Sequence, residues 1–346
     1  MKAYVLHDIG DFRLEEAEKP VPGPGEVLLE VRAAGICGSD IPRIYKTGTY
    51  SYPLIPGHEF SGVVAELGEG TDPAWLGRRT GLFPLIPCGR CKPCLHKQYE
   101  MCRSYGYIGS RTDGGFAQYV TAPQWNLAAL PDNVSYEQGA MLEPMAVAVH
   151  AMRRANPKQG ERVVICGLGT IGLFLLMFLR ERGLENIYAV GNKDIQREKV
   201  LGLGLSADHW FDTRSGSVEA WLSEEGHEAD LFFDCVGTNE VLAQGIRHTA
   251  CGGRVVTVGN PASDMTLDRQ TYWKILRNQL TVIGTWNSSY TGEEEDDWHY
   301  VMSRLAAGTI RPERMITHRL DFAHLIQGFE LMRDKREEYV KVMGVF

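Results

Sequence analysis

The feature that most constrains this fold is a short apolar run at residues 162–166 that ends in Gly167-Leu168-Gly169-Thr170-Ile171-Gly172. A second apolar run at 173–179 follows with no break. A lone G-x-G-x-x-G is weak in a chain with 38 glycines. Strand, tight turn and helix in immediate succession supply the context the motif requires. Gly167 permits the turn, Gly169 lets the backbone approach a pyrophosphate, and Gly172 lets the helix pack on the strand. The N–H groups at the helix start, from Thr170 and Ile171, make an anion site. Strand patterns at 187–190, 231–233, 255–258 and 281–283 alternate with helical patterns at 196–203 and 241–248. That alternation predicts an α/β region built on a doubly wound parallel Rossmann sheet. Val236, Val258 and Thr285, near the ends of its later strands, are further candidate cofactor contacts.

The end of the second strand reads on cofactor preference. An NAD site has an acidic residue about 20 positions past the glycines to bind the ribose 2′-OH. Gly191 stands at that point, followed by Asn192 and Lys193, with Arg197 one turn on. Without the carboxylate there is no repulsion of a 2′-phosphate, and the cations attract one. The expectation is NADP(H) over NAD(H), with Lys193 the main phosphate ligand and Asn192 assisting. Asp194 is the opposing signal, since a shift in register would restore an acidic ribose ligand.

Before about residue 144 the pattern differs. Short strand candidates at 3–6, 27–31 and 60–67 are separated by glycine- and proline-rich turns, which predicts a compact β-rich, barrel-like domain. Every candidate metal ligand falls there. Cys88, Cys91, Cys94 and Cys102 form a C-x2-C-x2-C-x7-C cluster. Four thiolates complete a tetrahedral Zn2+ and leave no position for substrate, so this reads as a structural site. Cys37, His58 and Glu59, with Glu143 further along, offer the mixed ligands of a second zinc. A buried cysteine beside a surface His-Glu pair is the plainer reading of those residue types alone.

Charge and hydropathy exclude other classes. The 346 residues carry 36 basic and 44 acidic side chains, a formal net charge of −8, which argues against a nucleic-acid partner. No apolar run approaches the ~20 residues of a membrane helix, and the N-terminus lacks a signal-peptide core. A cytoplasmic location is expected, where eight cysteines serve as ligands or core thiols rather than disulfides.

The four-cysteine cluster, the Cys37…Gly57-His58-Glu59 segment and the later glycine motif, in that order, resemble the zinc-dependent medium-chain alcohol and polyol dehydrogenases. The segments 37–43, 108–117, 274–277 and 283–286 are most similar to the galactitol-1-phosphate and sorbitol dehydrogenase branch. The resemblance implies a GroES-like catalytic domain at 1–147, a Rossmann domain at 148–287 and a return to the catalytic domain at 288–346. It implies that Cys37, His58 and Glu143 surround a catalytic zinc, with Glu59 an alternating or second-shell ligand, so two Zn2+ per chain. It also implies an active site between the lobes and assembly as a homodimer or homotetramer. Gly191-Asn192-Lys193 is similar to the Gly-Ser-Arg segment of NADP-dependent members. Ile41 and Pro42 stand where many relatives have a histidine that relays the alcohol proton, which leaves Ser39, the ribose or water for that task. Arg43 replaces a tyrosine of sorbitol-type relatives and could grip a phosphate, as could Arg111, while Trp286 is a candidate wall of the substrate pocket.

The reading is therefore a zinc-dependent oxidoreductase interconverting a secondary alcohol of a polyol, or of a sugar or polyol phosphate, with its ketone. Two rivals remain: a zinc-independent quinone reductase on the same plan, and a nucleotide-sensing relative without catalysis.

Overall fold

The computed structural model describes residues 1–224 and 226–346. The chain divides into two compact units, Met1–Ala146 with Ser288–Phe346, and Val147–Asn287.

The first unit is built on a seven-stranded sheet with the order Ile316–Asp321, Lys341–Val345, Glu26–Ile36, Glu59–Leu67, Arg79–Leu82 and Leu127–Ala129, and with Tyr119–Pro123 also paired to Glu26–Ile36. All of these pairings are antiparallel except that of Ile316–Asp321 with Lys341–Val345. The hub is Glu26–Ile36, whose residues are nearly all buried. Its alternate faces read as apolar because both are covered, so Val27, Leu29 and Val31 join a core with Phe60, Val64, Phe116 and Phe329. The C-terminal strand closes the sheet against the first third of the chain, with Val342 opposite Ile36 and Gly344 opposite Ala34.

The second unit carries a six-stranded sheet in the order Trp210–Asp212, Ile187–Gly191, Val163–Cys166, Ala229–Asp234, Thr249–Thr257, Thr281–Gly284. Every neighbouring pair is parallel. In chain order this is 3-2-1-4-5-6, the doubly wound arrangement whose crevice lies beyond the C-terminal ends of the strands. The helix Thr170–Glu181 begins directly after the glycine turn and buries an unbroken run from Gly172 to Leu179. The strand Trp210–Asp212 had no sequence signal of its own, being three residues long and only partly buried. No helix among the described residues is long and apolar enough to cross a membrane.

The helix Leu142–Ala155 begins earlier than the expected change of pattern at residue 145. Pro144 sits in its first turn, where the missing N–H has no intrahelical partner to lose.

Candidate metal centres and nucleotide site

Pairing of two strands brings the mixed-ligand residues together. Gly35 at the end of Glu26–Ile36 lies opposite Glu59 at the start of Glu59–Leu67, so Cys37, His58 and Glu59 fall at one end of one ladder. One ligand atom from each lies within 4.8 Å of the others. His58 and Glu59 are buried and Cys37 half-buried. A Cβ on Gly35 would stand 2.5 Å from Glu59 Oε2 and 2.6 Å from Lys341 Cε, so this position needs glycine.

The support around this group comes from Asp40, Lys341 and Tyr107, none of which was anticipated as a partner. Asp40 is wholly buried, accepts the Cys37 N–H at 3.0 Å and binds Arg43 Nη1. Lys341 Nζ, buried at the start of the last strand, pairs with Glu59 and donates to the Ile36 carbonyl at 3.1 Å. Glu143 lies outside the close group; its Oε1 accepts the Tyr107 hydroxyl at 3.1 Å, and the Tyr107 ring centroid is 5.8 Å from that of His58. Ser39 is exposed, with Oγ 3.3 Å from Cys37 Sγ.

These residues fit a cation. His58 Nδ1 is buried with no hydrogen-bond partner, and Asp40 Oδ1 at 3.6 Å is beyond hydrogen-bonding range. Burial, then the charges of Glu59 and Asp40, pushes the Cys37 thiol well up. Burial likewise pushes the Glu143 carboxyl up to about 7. A divalent ion reverses this balance, because it favours the thiolate and the carboxylate together.

The four-cysteine cluster is more nearly complete. Sγ separations are 4.0 Å for Cys88–Cys94, 3.4 Å for Cys91–Cys94 and 3.9 Å for Cys91–Cys102. Zn–S bonds of ~2.3 Å in a tetrahedron set sulfur atoms about 3.8 Å apart. Backbone N–H groups of Arg103 and Cys94 lower the Cys91 thiol to about 6, while burial raises Cys94 to about 12. Lys97, on the same lobe, pairs with Glu293.

At the glycine turn, Gly167 has φ +95° and a Cβ there would stand 2.5 Å from Val236 Cγ2. A Cβ on Gly172 would run into the Gly167 carbonyl oxygen, whereas Gly169 has open space beside it. Both conditions suit a phosphate cradle. Val258, Thr285 and Trp286 line a cavity of about 280 Å³ beyond the strand ends, together with Asp234, Gly237 and Gly259. Trp286 is 55% exposed at its rim, and Thr285 Oγ1 is fixed by the Thr257 carbonyl at 2.9 Å. Val236 is exposed.

Beyond Gly191 the backbone folds over Gln196. The Gln196 Oε1 accepts the N–H groups of Asn192 at 2.9 Å and Lys193 at 3.2 Å. A Cβ on Gly191 would lie 2.5 Å from both Gln196 Oε1 and Trp210 Cη2. Asp194 binds Arg214 Nη2 at 2.6 Å, and Arg214 also binds Asp212. Arg197 is exposed on the helix Asp194–Gly202.

Comparison with known proteins agrees with these two units. Residues 23–132 match the alcohol dehydrogenase GroES-like domain, and residues 170–307 match the zinc-binding dehydrogenase domain. Galactitol 1-phosphate 5-dehydrogenase of Escherichia coli K12 is 34% identical over 335 residues, 95% of each chain. Among solved structures, an alcohol dehydrogenase of Escherichia coli CFT073 complexed with NADH has a TM-score of 0.91 at 27% identity, covering 100% of this chain and 99% of that one. A zinc-binding dehydrogenase of Sinorhizobium meliloti bound to NADP has a TM-score of 0.90 at 27% identity, with the same coverage of 100% and 99%. The chain is an oxidoreductase belonging to the zinc-dependent medium-chain dehydrogenases that act on alcohol groups.

Proposed function

We propose that this protein oxidises a secondary alcohol of a polyol or polyol phosphate to the ketone, and runs the reverse reduction, with NADP(H) favoured over NAD(H). The observation that carries the reading is the buried group of Cys37, His58 and Glu59 with an unsatisfied His58 Nδ1, a set that a divalent cation completes. A polyol as substrate is supported by the likeness to galactitol 1-phosphate 5-dehydrogenase.

Cys37, His58 and Glu143 would hold the catalytic Zn2+, with Glu59 able to join or leave the set. Bound there, the ion acts as a Lewis acid that lowers the pKa of the alcohol and polarises the ketone. The turn from Gly167 to Gly172, with Val236, Val258 and Thr285, would hold NADP(H), which would supply the hydride acceptor or donor. Ser39 takes the alcohol proton and, being exposed, passes it to solvent. Lys341 holds Glu59 and Tyr107 holds Glu143, so each carboxylate has a second position besides the metal. Asp40 fixes the Cys37 backbone and keeps Arg43 beside it. Cys88, Cys91, Cys94 and Cys102 would hold the second, structural zinc.

The NADP(H) preference is supported by the absence of a carboxylate at Gly191, by Lys193 and Arg197 nearby, and by the engagement of Asp194 with Arg214. Homo-oligomerisation is supported by the edge strand Thr281–Gly284 and the exposed Tyr272, Trp273, Leu276 and Val282 near it. The thiolate sites suit the reducing cytoplasm.

Elemental analysis of the purified protein, with a polyol panel assayed with each cofactor, tests the reading. The expected result is two zinc ions per chain and polyol-dependent reduction of NADP+. A single zinc with quinone reduction, or nucleotide binding without turnover of any polyol, overturns it.

A further inference from the structure

Arg111 occupies an unusual setting four residues beyond Tyr107, the partner of Glu143. Its guanidinium carbon lies over the Tyr50 ring at 4.5 Å and over the Tyr105 ring at 4.2 Å from the centroids. Nη1 donates to the Tyr105 carbonyl at 2.9 Å and Nη2 to the Tyr50 hydroxyl at 3.4 Å. Among the described residues no carboxylate pairs with it, whereas Arg43 is committed to the buried Asp40.

The loop carrying Arg111 is fixed at both ends. The Arg111 N–H binds the Tyr107 carbonyl at 2.8 Å, and Thr49 Oγ1 ties the Ser110 carbonyl at 2.9 Å, which joins this loop to the one bearing Tyr50. Tyr107 is the residue whose hydroxyl holds Glu143 and whose ring faces His58. The Arg111 backbone is thus bonded to the backbone of Tyr107, whose side chain belongs to the candidate catalytic centre.

Two aromatic contacts hold the plane of a guanidinium while leaving its N–H edges available. Of the five N–H donors, two are used internally. An arginine fork binds phosphate through parallel charge-assisted hydrogen bonds, and a phosphate monoester presents three terminal oxygens to the remaining donors. Tyr50 is 75% exposed, so the charged end of a ligand held here stays in contact with water. On a chain of net charge −8, an arginine that no carboxylate neutralises favours the approach of a dianion.

We propose that Tyr50, Arg111 and Tyr105 form a clamp for the phosphate of a phosphorylated polyol, and that Arg111, not Arg43, makes the enzyme select phosphorylated over free substrates. This deepens the polyol dehydrogenase reading and rests on it.

The test compares galactitol with galactitol 1-phosphate as a matched pair in wild type, Arg111→Lys and Tyr50→Ala, alongside calorimetric titration of each zinc-loaded protein with inorganic phosphate. Arg111→Lys keeps the charge but loses the fork, and Tyr50→Ala removes one stacking face at a position 75% exposed. Wild type is expected to prefer the phosphate in kcat/KM. Arg111→Lys should lower that preference about 10- to 100-fold, and Tyr50→Ala should lower it less. Inorganic phosphate should bind wild type and bind Arg111→Lys at least 10-fold more weakly. An unchanged preference in Arg111→Lys, or wild-type turnover of galactitol as good as that of galactitol 1-phosphate, overturns the clamp. If wild type turns over neither polyol, the proposed reaction fails, and the phosphate titration alone then decides the clamp: equal binding by wild type and Arg111→Lys rejects it.

Discussion

Replacing Lys341 by methionine tests the arrangement around Glu59 most directly. The two side chains are 1% and 2% exposed, so solvent screens their interaction little. Lys341 also satisfies the Ile36 carbonyl at 3.1 Å. Methionine fills similar space but strands a carboxylate in the core, and breaking a buried pair from one side costs ~3–5 kcal/mol. With a urea m-value of ~3 kcal/mol/M, the unfolding midpoint of the metal-free protein should fall by about 1–2 M. Two further measurements separate a lost ion pair from a general packing defect. Adding Glu59→Gln removes the stranded charge, so the double variant should recover much of the loss, which makes the cycle strongly non-additive. Zinc should also recover part of it in the single variant, since Glu59 then gains a cation. Urea titrations followed by tryptophan fluorescence, with and without zinc, supply all of these values. If metal-free Lys341→Met unfolded at the wild-type midpoint, or if Glu59→Gln gave no recovery, the assigned pairing would be wrong.

Cys37→Ala should lower zinc from two ions to one and abolish turnover while leaving the melting temperature of the zinc-loaded protein near wild type; full zinc content with normal activity would count against the assignment. Cys91→Ala should also lose one zinc but act through folding, with reduced soluble yield and melting temperature, and a variant as stable as wild type would remove the structural role from that cluster. Gly172→Ala should weaken NADPH binding by at least ~10-fold, because its Cβ collides with the Gly167 carbonyl oxygen and tilts the helix that carries the anion site; fluorescence titration with NADPH reads this, and unchanged affinity refutes it. Conversion toward NADH should need Gln196→Ala together with Gly191→Asp and Lys193→Ala, since a Cβ at 191 meets both Gln196 Oε1 and Trp210 Cη2 at 2.5 Å and Gln196→Ala clears the first of them. Adding Gln196→Ala should raise the NADH-to-NADPH ratio of kcat/KM above that of the double variant, and an unchanged ratio would show that Gln196 does not block the position.

What the sequence disclosed, and what it did not, follows from the range of the interactions. The cysteine cluster and the glycine turn are local: their ligands and backbone requirements lie within one loop each, so spacing alone reveals them. The parallel sheet was legible because each buried strand is an apolar run. Lys341 gave a faint signal, a lone cation within the apolar strand Lys341–Val345, but its partner is Glu59, nearly the whole chain away. Tyr107 and Asp40 are ordinary residues whose importance comes only from what the fold sets beside them. Gln196 was unreadable for a similar reason, since its side chain does the work of a turn by accepting two backbone N–H groups.

The interrupted order of the first unit bears on how the enzyme is made. Residues Val147–Asn287 are contiguous and can fold as soon as they leave the ribosome. The half of the first unit translated before them must wait, because Lys341–Val345 is the strand that covers Glu26–Ile36 and delivers the cation beside Glu59. At 5–20 residues per second, roughly 15 to 60 seconds separate synthesis of Cys37 from that of Lys341. Through that interval Glu59 has no lysine beside it, while Cys88, Cys91, Cys94 and Cys102 already have all four members. The two proposed metal sites would therefore form in order, the four-cysteine site first and the mixed-ligand site only once Lys341–Val345 is in place, and a variant lacking residues 341–346 is expected to keep the first and to lack a properly formed second.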